Sequence, residues 1–144
     1  MNVKRILATK GTYVITIRPE QRIREAIALL ARHNVGALVV VDEAGHPAGI
    51  ISERDIVRAA VTDEEMFVRP VGSIMTRELI TGLPQDDLNS VAKTMTEKHI
   101  RHLPVMDQGK LVGIISIGDV VKVQRDEYLG EIDTLHDQIL GETV

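Results

Sequence analysis

Apolar residues in this chain recur with two different periods, and the alternation between those periods is itself repeated. Ile23, Ala26, Ile27 and Leu30 follow the i, i+3, i+4, i+7 spacing of one face of an amphipathic helix. Leu88, Val91, Ala92 and Met95 follow the same spacing 65 residues later. A short apolar stretch and a proline precede each helix: Val14-Ile15-Thr16-Ile17 before Pro19, and Leu79-Ile80-Thr81 before Pro84. Beyond each helix, Leu38, Val40 and Asp42 correspond to Leu103, Val105 and Asp107. Asp and Gly between apolar runs predict a hairpin in each copy. The offset drops to 64 there, because the first hairpin is one residue longer. Gly49-Ile50-Ile51-Ser52-Glu53-Arg54-Asp55-Ile56-Val57 then returns as Gly113-Ile114-Ile115-Ser116-Ile117-Gly118-Asp119-Val120-Val121. Each copy therefore predicts strand, helix, strand, hairpin, strand, helix.

The lead-ins echo as well, with Val3, Ile6 and Leu7 matching Val71, Ile74 and Met75 as short amphipathic turns. Residues 61–70 form the connector, so the chain divides into repeat 1 (1–65), repeat 2 (66–125) and a C-terminal helical extension (126–144). The fold class is α/β, in the α+β sense of small sheets with packed helices. A half of 60 to 70 residues buries only about 60% of its unfolded surface, so the two repeats are expected to share one module. Past Val121, a stripe of Val121, Tyr128, Ile132, Leu135 and Ile139, interrupted by Arg125, continues the helix to about Leu140. Such a stripe either lies on its own domain or meets a second subunit, and its run beyond the repeat favours the second subunit.

Composition narrows the function. The 144 residues carry a net charge of −4 with acids and bases interspersed, which argues against a nucleic-acid partner. Aromatics are only 2%, too few for base-stacking platforms. Cysteine is absent, which removes disulfides and thiolate chemistry and fits a cytoplasmic setting. No apolar run reaches the roughly 18 residues of a membrane span. The five histidines have no metal-ligand spacing, and there is no nucleophile–base pair, so no catalytic residue is assigned.

The candidate chemistry lies where a strand turns into a helix. Ser52 and Ser116 stand at such turns, with Asp55 and Asp119 three residues on. A helix N-terminus presents free N–H groups and partial positive charge suited to phosphate, and an Asp one turn in can accept from the vicinal hydroxyls of a ribose. The same spacing is also a capping box, in which both side chains serve the helix's own amides. Arg101-His102 before Leu103-Pro104-Val105 offers a guanidinium beside a protonatable imidazole, a phosphate clamp. Gly36-Ala37, its counterpart in the first copy, leaves room for something to approach the backbone.

The pair resembles tandem CBS domains, the cystathionine β-synthase module, from about Val3 to Val123. The residues carrying the likeness are Val71-Gly72-Ser73-Ile74-Met75-Thr76, Arg101-His102-Leu103-Pro104-Val105, and Gly-Ile-Ile-Ser-x-x-Asp in both copies. The resemblance implies two pseudo-symmetric β-α-β-β-α repeats with two clefts, which bind AMP, ADP, ATP, S-adenosylmethionine or NAD(H) in a non-catalytic, energy-sensing regulatory role. It implies that Ser52 and Asp55 share a cleft with Thr81, Arg101 and His102. It places Ser116 and Asp119 with Thr16, Gly36 and Ala37, with Arg54 toward the phosphate. It further implies a homodimer, a disc of four CBS domains, with a regulated partner protein. The competing reading is a protein-interaction or dimerisation module with no nucleotide ligand. Arg101-His102 against Gly36-Ala37, and Glu53-Arg54 against Ile117-Gly118, predict two unequal sites.

Overall fold

The structure is a computed structural model and describes residues 1–142. Five helices and five strands follow in the order α1 (Val3–Lys10), β1 (Thr16–Ile17), α2 (Ile23–His33), β2 (Ala37–Val41), β3 (Pro47–Ser52), α3 (Glu53–Thr62), α4 (Leu88–Lys98), β4 (His102–Asp107), β5 (Lys110–Ser116) and α5 (Ile117–Glu142). In the first repeat β1 runs parallel to β2, and β2 antiparallel to β3. In the second, β4 and β5 form the antiparallel hairpin. The helices α2 and α4 end alike, with Asn34 and His99 in left-handed conformation and their amides bonded back to Leu30 and Met95.

The strand expected over Leu79–Thr81 is reduced to a single parallel bridge, Gly82 to Val105. Its register is that of Ile17 on Val40, so the backbone path is kept while the strand is lost. Gly82 stands where the first copy has Ile17, and a Cβ there would lie 2.8 Å from the Leu103 side chain. Leu103 therefore fills the space that Ile17 fills in the first copy. A glycine with no side chain to pack weakens a strand.

Two apolar cores form, and each is completed by the lead-in of the other repeat. Val3, Ile6 and Leu7 of α1 pack with Leu88, Val91, Met95, Leu103, Val105 and Ile115. Val71 and Met75, which precede the second repeat, pack with Ile17, Ala26, Leu30, Leu38, Val40 and Ile51 of the first. Backbone bonds repeat the exchange. Val3 donates to the Asp86 carbonyl (3.0 Å) and Lys4 to Pro84 (2.8 Å), while Val71 donates to Gln21 (2.7 Å) and Gly72 to Pro19 (2.9 Å). The connector is also tied down: a one-turn 3-10 helix at Met66–Val68 buries Met66.

This exchange explains the repeated glycine of the matching nine residues. At Gly49 a Cβ would stand 2.7 Å from the Thr76 carbonyl oxygen and 3.0 Å from Met75 Sδ. At Gly113 it would strike the Leu7 side chain. Each glycine admits the crossing lead-in against the strand. A methyl at residue 49 meets backbone, which cannot rotate away, whereas one at residue 113 meets the end of a flexible leucine. Gly49→Ala should therefore cost about 1–3 kcal/mol in urea unfolding. Gly113→Ala should cost less, and Leu7→Ala should offset part of that cost in a double-mutant cycle. Wild-type stability in Gly49→Ala would refute this account.

Candidate functional site

At both strand-to-helix turns the serine and aspartate make reciprocal capping bonds. The Ser52 amide donates to Asp55 Oδ2 at 2.9 Å and the Asp55 amide to Ser52 Oγ at 3.3 Å. In the second repeat the distances are 2.8 Å, to Asp119 Oδ2, and 3.1 Å, to Ser116 Oγ. The capping reading of the sequence is thus present in full. The cap leaves the other carboxylate oxygen open: among the described residues Asp55 Oδ1 meets only the Thr76 hydroxyl, at 3.4 Å.

Around Asp55 lies an open groove of about 540 Å³. Ser52, Glu53, Arg54, Asp55 and Arg58 line it from α3 and its cap, Lys98, His99, Ile100, Arg101 and His102 from the end of α4 and the start of β4. Gly36, Ile50, Thr76, Glu78 and Ile80 complete the wall. Ile50, Ile80 and Ile100 give it an apolar part. Arg54, Arg58, Lys98 and Arg101 give it four cations, none of which forms an ion pair within 4.0 Å among the described residues. Arg54 and Arg58 share a face of α3 through i, i+4 spacing.

The sequence grouping is redrawn in several places. Ser52, Asp55, Arg101 and His102 come together as expected, but Thr81 is absent from the lining and Thr76 stands at the carboxylate instead. Gly36 and Arg54 line this groove and not a cleft with Asp119. Ala37 is buried in β2, opposite Ser52 in the hairpin. Thr16 lies in a separate groove between the two hairpin tips, beside Tyr13, His46 and Lys110. Thr16 and Thr81 are exposed positions that lie outside the Asp55 groove, while their neighbours Ile17 and Gly82 are buried.

Asp119 has a different neighbour. Lys10, the last residue of α1, puts its ammonium 2.7 Å from Asp119 Oδ2. Burial alone would raise the Asp119 pKa, but the Lys10 ammonium and the Ser116 bonds outweigh it and hold the carboxyl below its ordinary value. A cavity of about 530 Å³ between α1 and the first turns of α5 opens beside this pair, lined by Arg5, Thr9, Lys122 and Asp126 among others.

His102 sits at the junction of the two turns. A Cβ on Gly36 would stand 3.1 Å from its Nε2, so the space left at Gly36 is occupied by this ring. Burial lowers the His102 pKa, and the Lys10 ammonium adds to the effect against Glu53 and Asp119. The shift favours the neutral imidazole, so of the Arg101-His102 pair it is the guanidinium that carries the charge.

Arg58, Thr76, Glu78 and Lys98 were not foreseen. The i+4 spacing from Arg54 was a signal for Arg58, and the lead-in match was one for Thr76. Lys10 had no signal, since 109 residues separate it from Asp119. Among the described residues no cluster of His, Asp and Glu is arranged to hold a metal, and no helix is long and apolar enough to cross a membrane.

Fold and site together define a tandem module: two copies of one α/β unit, interlocked by their lead-ins, with a groove at a serine-to-aspartate turn. The chain belongs to the CBS-domain family, whose model matches residues 3–62 and again 71–126. It is 38% identical over 112 residues to the CBS domain-containing protein YhcV of Bacillus subtilis, covering 78% of this chain and 79% of that protein. A CBS-domain containing protein from Agrobacterium tumefaciens superposes with a TM-score of 0.83 at 38% identity, over 86% of this chain and 99% of the other. The CBS domain pair of protein MJ0100, solved with 5-methylthioadenosine and S-adenosyl-L-methionine, gives 0.79 at 31% identity, over 88% and 98%. A CBS domain protein from Pyrobaculum aerophilum, complexed with AMP, gives 0.75 at 30% identity, over 83% and 89%.

The burial of His102 predicts a pH dependence. The unfolded chain takes up a proton there near pH 6.5 and the folded chain only at lower pH, so the unfolded state binds more protons in that window. Stability should therefore fall as pH drops below about 6.5, and His102→Gln should flatten that fall in urea melts between about pH 7.5 and about pH 5.5. Carboxylates such as Asp119 lose their contribution only at lower pH, below the usual 3.8. An unchanged slope in the variant would show that the imidazole is not the group responsible.

Proposed function

We propose that this chain is a non-catalytic sensor that binds an adenine-containing nucleotide in the Asp55 groove. The observation that carries the reading is the groove itself, where one carboxylate oxygen left open by its own cap shares the lining with four cations that have no ion-pair partner among the described residues. In this reading Asp55 Oδ1 accepts from the ribose hydroxyls, the Arg54, Arg58, Lys98 and Arg101 cations face the phosphate, and Ile50, Ile80 and Ile100 cover the adenine. The complexes of family members with AMP, 5-methylthioadenosine and S-adenosyl-L-methionine support the ligand class. AMP, ADP, ATP and NAD(H) suit the cationic wall better than the positively charged S-adenosylmethionine does. Ligand binding then shifts how the two repeats sit, which is the regulatory output.

A thermal-shift series with these ligands tests the reading. A ligand at 100 times its Kd stabilises the fold by about 2.7 kcal/mol. Asp55→Asn keeps a capping side chain but loses the charge, and should abolish the shift while the protein stays folded. The rival reading, a ligand-free interaction module, is favoured by the complete capping boxes; it predicts no shift with any nucleotide.

We further infer that α5 pairs with α5 of a second copy. Val121, Arg125, Tyr128, Ile132, Leu135 and Ile139 alternate steps of four and three, the 3.5-residue seam of a coiled coil. The apolar members are 42% (Ile132) to 63% (Tyr128) exposed, so the helix does not cover them with its own module. A lone helix of about 15 residues is marginal in water, whereas a seam matched to itself buries them. Sedimentation should show a dimer that Ile132→Glu with Leu135→Glu converts to a folded monomer; a monomeric wild type would refute the pairing.

A further inference from the structure

The two serine-to-aspartate turns share one backbone design, yet their carboxylates meet opposite surroundings. Asp55 carries a single weak contact beyond its cap, from the Thr76 hydroxyl. Asp119 carries the Lys10 ammonium at 2.7 Å, with the two side chains 38% and 28% exposed. The offset that matches Val3 with Val71 matches Lys10 with Glu78, and Glu78 lines the Asp55 groove. One groove thus has an acid near its carboxylate, while the other turn has a base seated on it.

We propose that Lys10 is the residue that makes the two sites unequal: its ammonium, bonded to the same Asp119 Oδ2 that caps the turn, neutralises that carboxylate, so an adenine nucleotide binds in the Asp55 groove in preference to the Asp119 turn until that ion pair opens. The proposal rests on the nucleotide reading above. A ribose diol is held most strongly by a carboxylate that keeps its negative charge, and the ammonium on Oδ2 neutralises that charge at Asp119 while Oδ1 stays without a hydrogen bond among the described residues. A neutral hydroxyl competes poorly with a charge-assisted bond from an ammonium. Lys10 is also the C-terminal residue of α1, where the helix dipole favours a cation. Lysine is thereby held at Asp119 by the carboxylate in front and the helix end behind. Among the described residues no cation is bonded to Asp55: Arg54 and Arg58 of α3 line the groove without reaching its carboxylate within 4.0 Å.

Titration calorimetry of the full-length chain with AMP provides the test. Wild type should take one equivalent per chain, lost in Asp55→Asn. Lys10→Met, which keeps the aliphatic stem and removes the charge, should take a second equivalent with about ten-fold or greater gain in affinity at Asp119, equivalent to about 1.4 kcal/mol. Asp119→Asn in the Lys10→Met background should remove that second equivalent, and Lys10→Arg should restore the single-site behaviour. Circular dichroism melts of each variant confirm that the chain is folded. Two equal sites in wild type, or one site in folded Lys10→Met, would overturn the role of Lys10 and leave the nucleotide reading standing. Binding to none of the variants would overturn both.

Discussion

Neither repeat owns its core. The apolar residues ahead of each copy are buried in the other one: Val3, Ile6 and Leu7 against α4 and β5, Val71 and Met75 against α2, β2 and β3. A unit of this size leaves too much apolar surface in water when folded by itself, and the exchange is how the chain removes it. The crossing requires a strand with no side chain at the point of contact, which is the position of Gly49 and Gly113. The same crossing brings Thr76 onto the edge of β3, where it exchanges two backbone bonds with Ile50 (3.0 and 2.8 Å) and reaches Asp55 with its hydroxyl. Core formation and construction of the groove are thus one event.

Within this near-symmetric frame the side chains diverge. Ile17 becomes Gly82, and a strand becomes a bridge. Glu53-Arg54 becomes Ile117-Gly118, which leaves the start of α3 charged and that of α5 bare. Glu78 answers to Lys10. Backbone geometry tolerates these changes because the bonds at the two turns recur in both halves: the Glu53 amide on the Gly36 carbonyl (3.0 Å), the Ile117 amide on Arg101 (2.9 Å), and the serine–aspartate caps that follow them. Duplicated architecture with unequal chemistry follows directly.

The sequence pattern reached far into this fold, because repetition and periodicity are local signals. Both amphipathic helices, both hairpins and the two turns into α3 and α5 follow from spacing and turn chemistry, whereas Gly130 counted against the unbroken helix that α5 forms. The strand at 79–81 did not form because one glycine replaced the residue that would anchor it in the core. The site was legible in part. Ser52, Asp55, Arg101 and His102 could be placed together, but which lead-in crosses to which repeat depends on long-range packing. That choice decides that Thr76 and not Thr81 stands at Asp55, and that Lys10 meets Asp119. Gly36 shows the same limit from the other side: an empty position invites a ligand on paper, and a histidine from the opposite repeat fills it in space.

Capping and ligand binding looked like alternatives for the serine-to-aspartate turn, and the geometry removes the conflict. A carboxylate has two oxygens, each able to accept more than one hydrogen bond. At Asp55 the Ser52 amide and hydroxyl fix Oδ2, at 2.9 and 3.0 Å, and thereby aim Oδ1 toward Thr76 and the groove. The cap spends little of the carboxylate's accepting capacity and removes most of its rotational freedom before any ligand arrives, which lowers the entropy lost on binding. A hydroxyl donating to Oδ1 would also compete with the 3.4 Å contact from Thr76, the residue that links β3 to the crossing lead-in. A ligand seated at the turn as proposed would therefore lie beside the segment on which the first core depends.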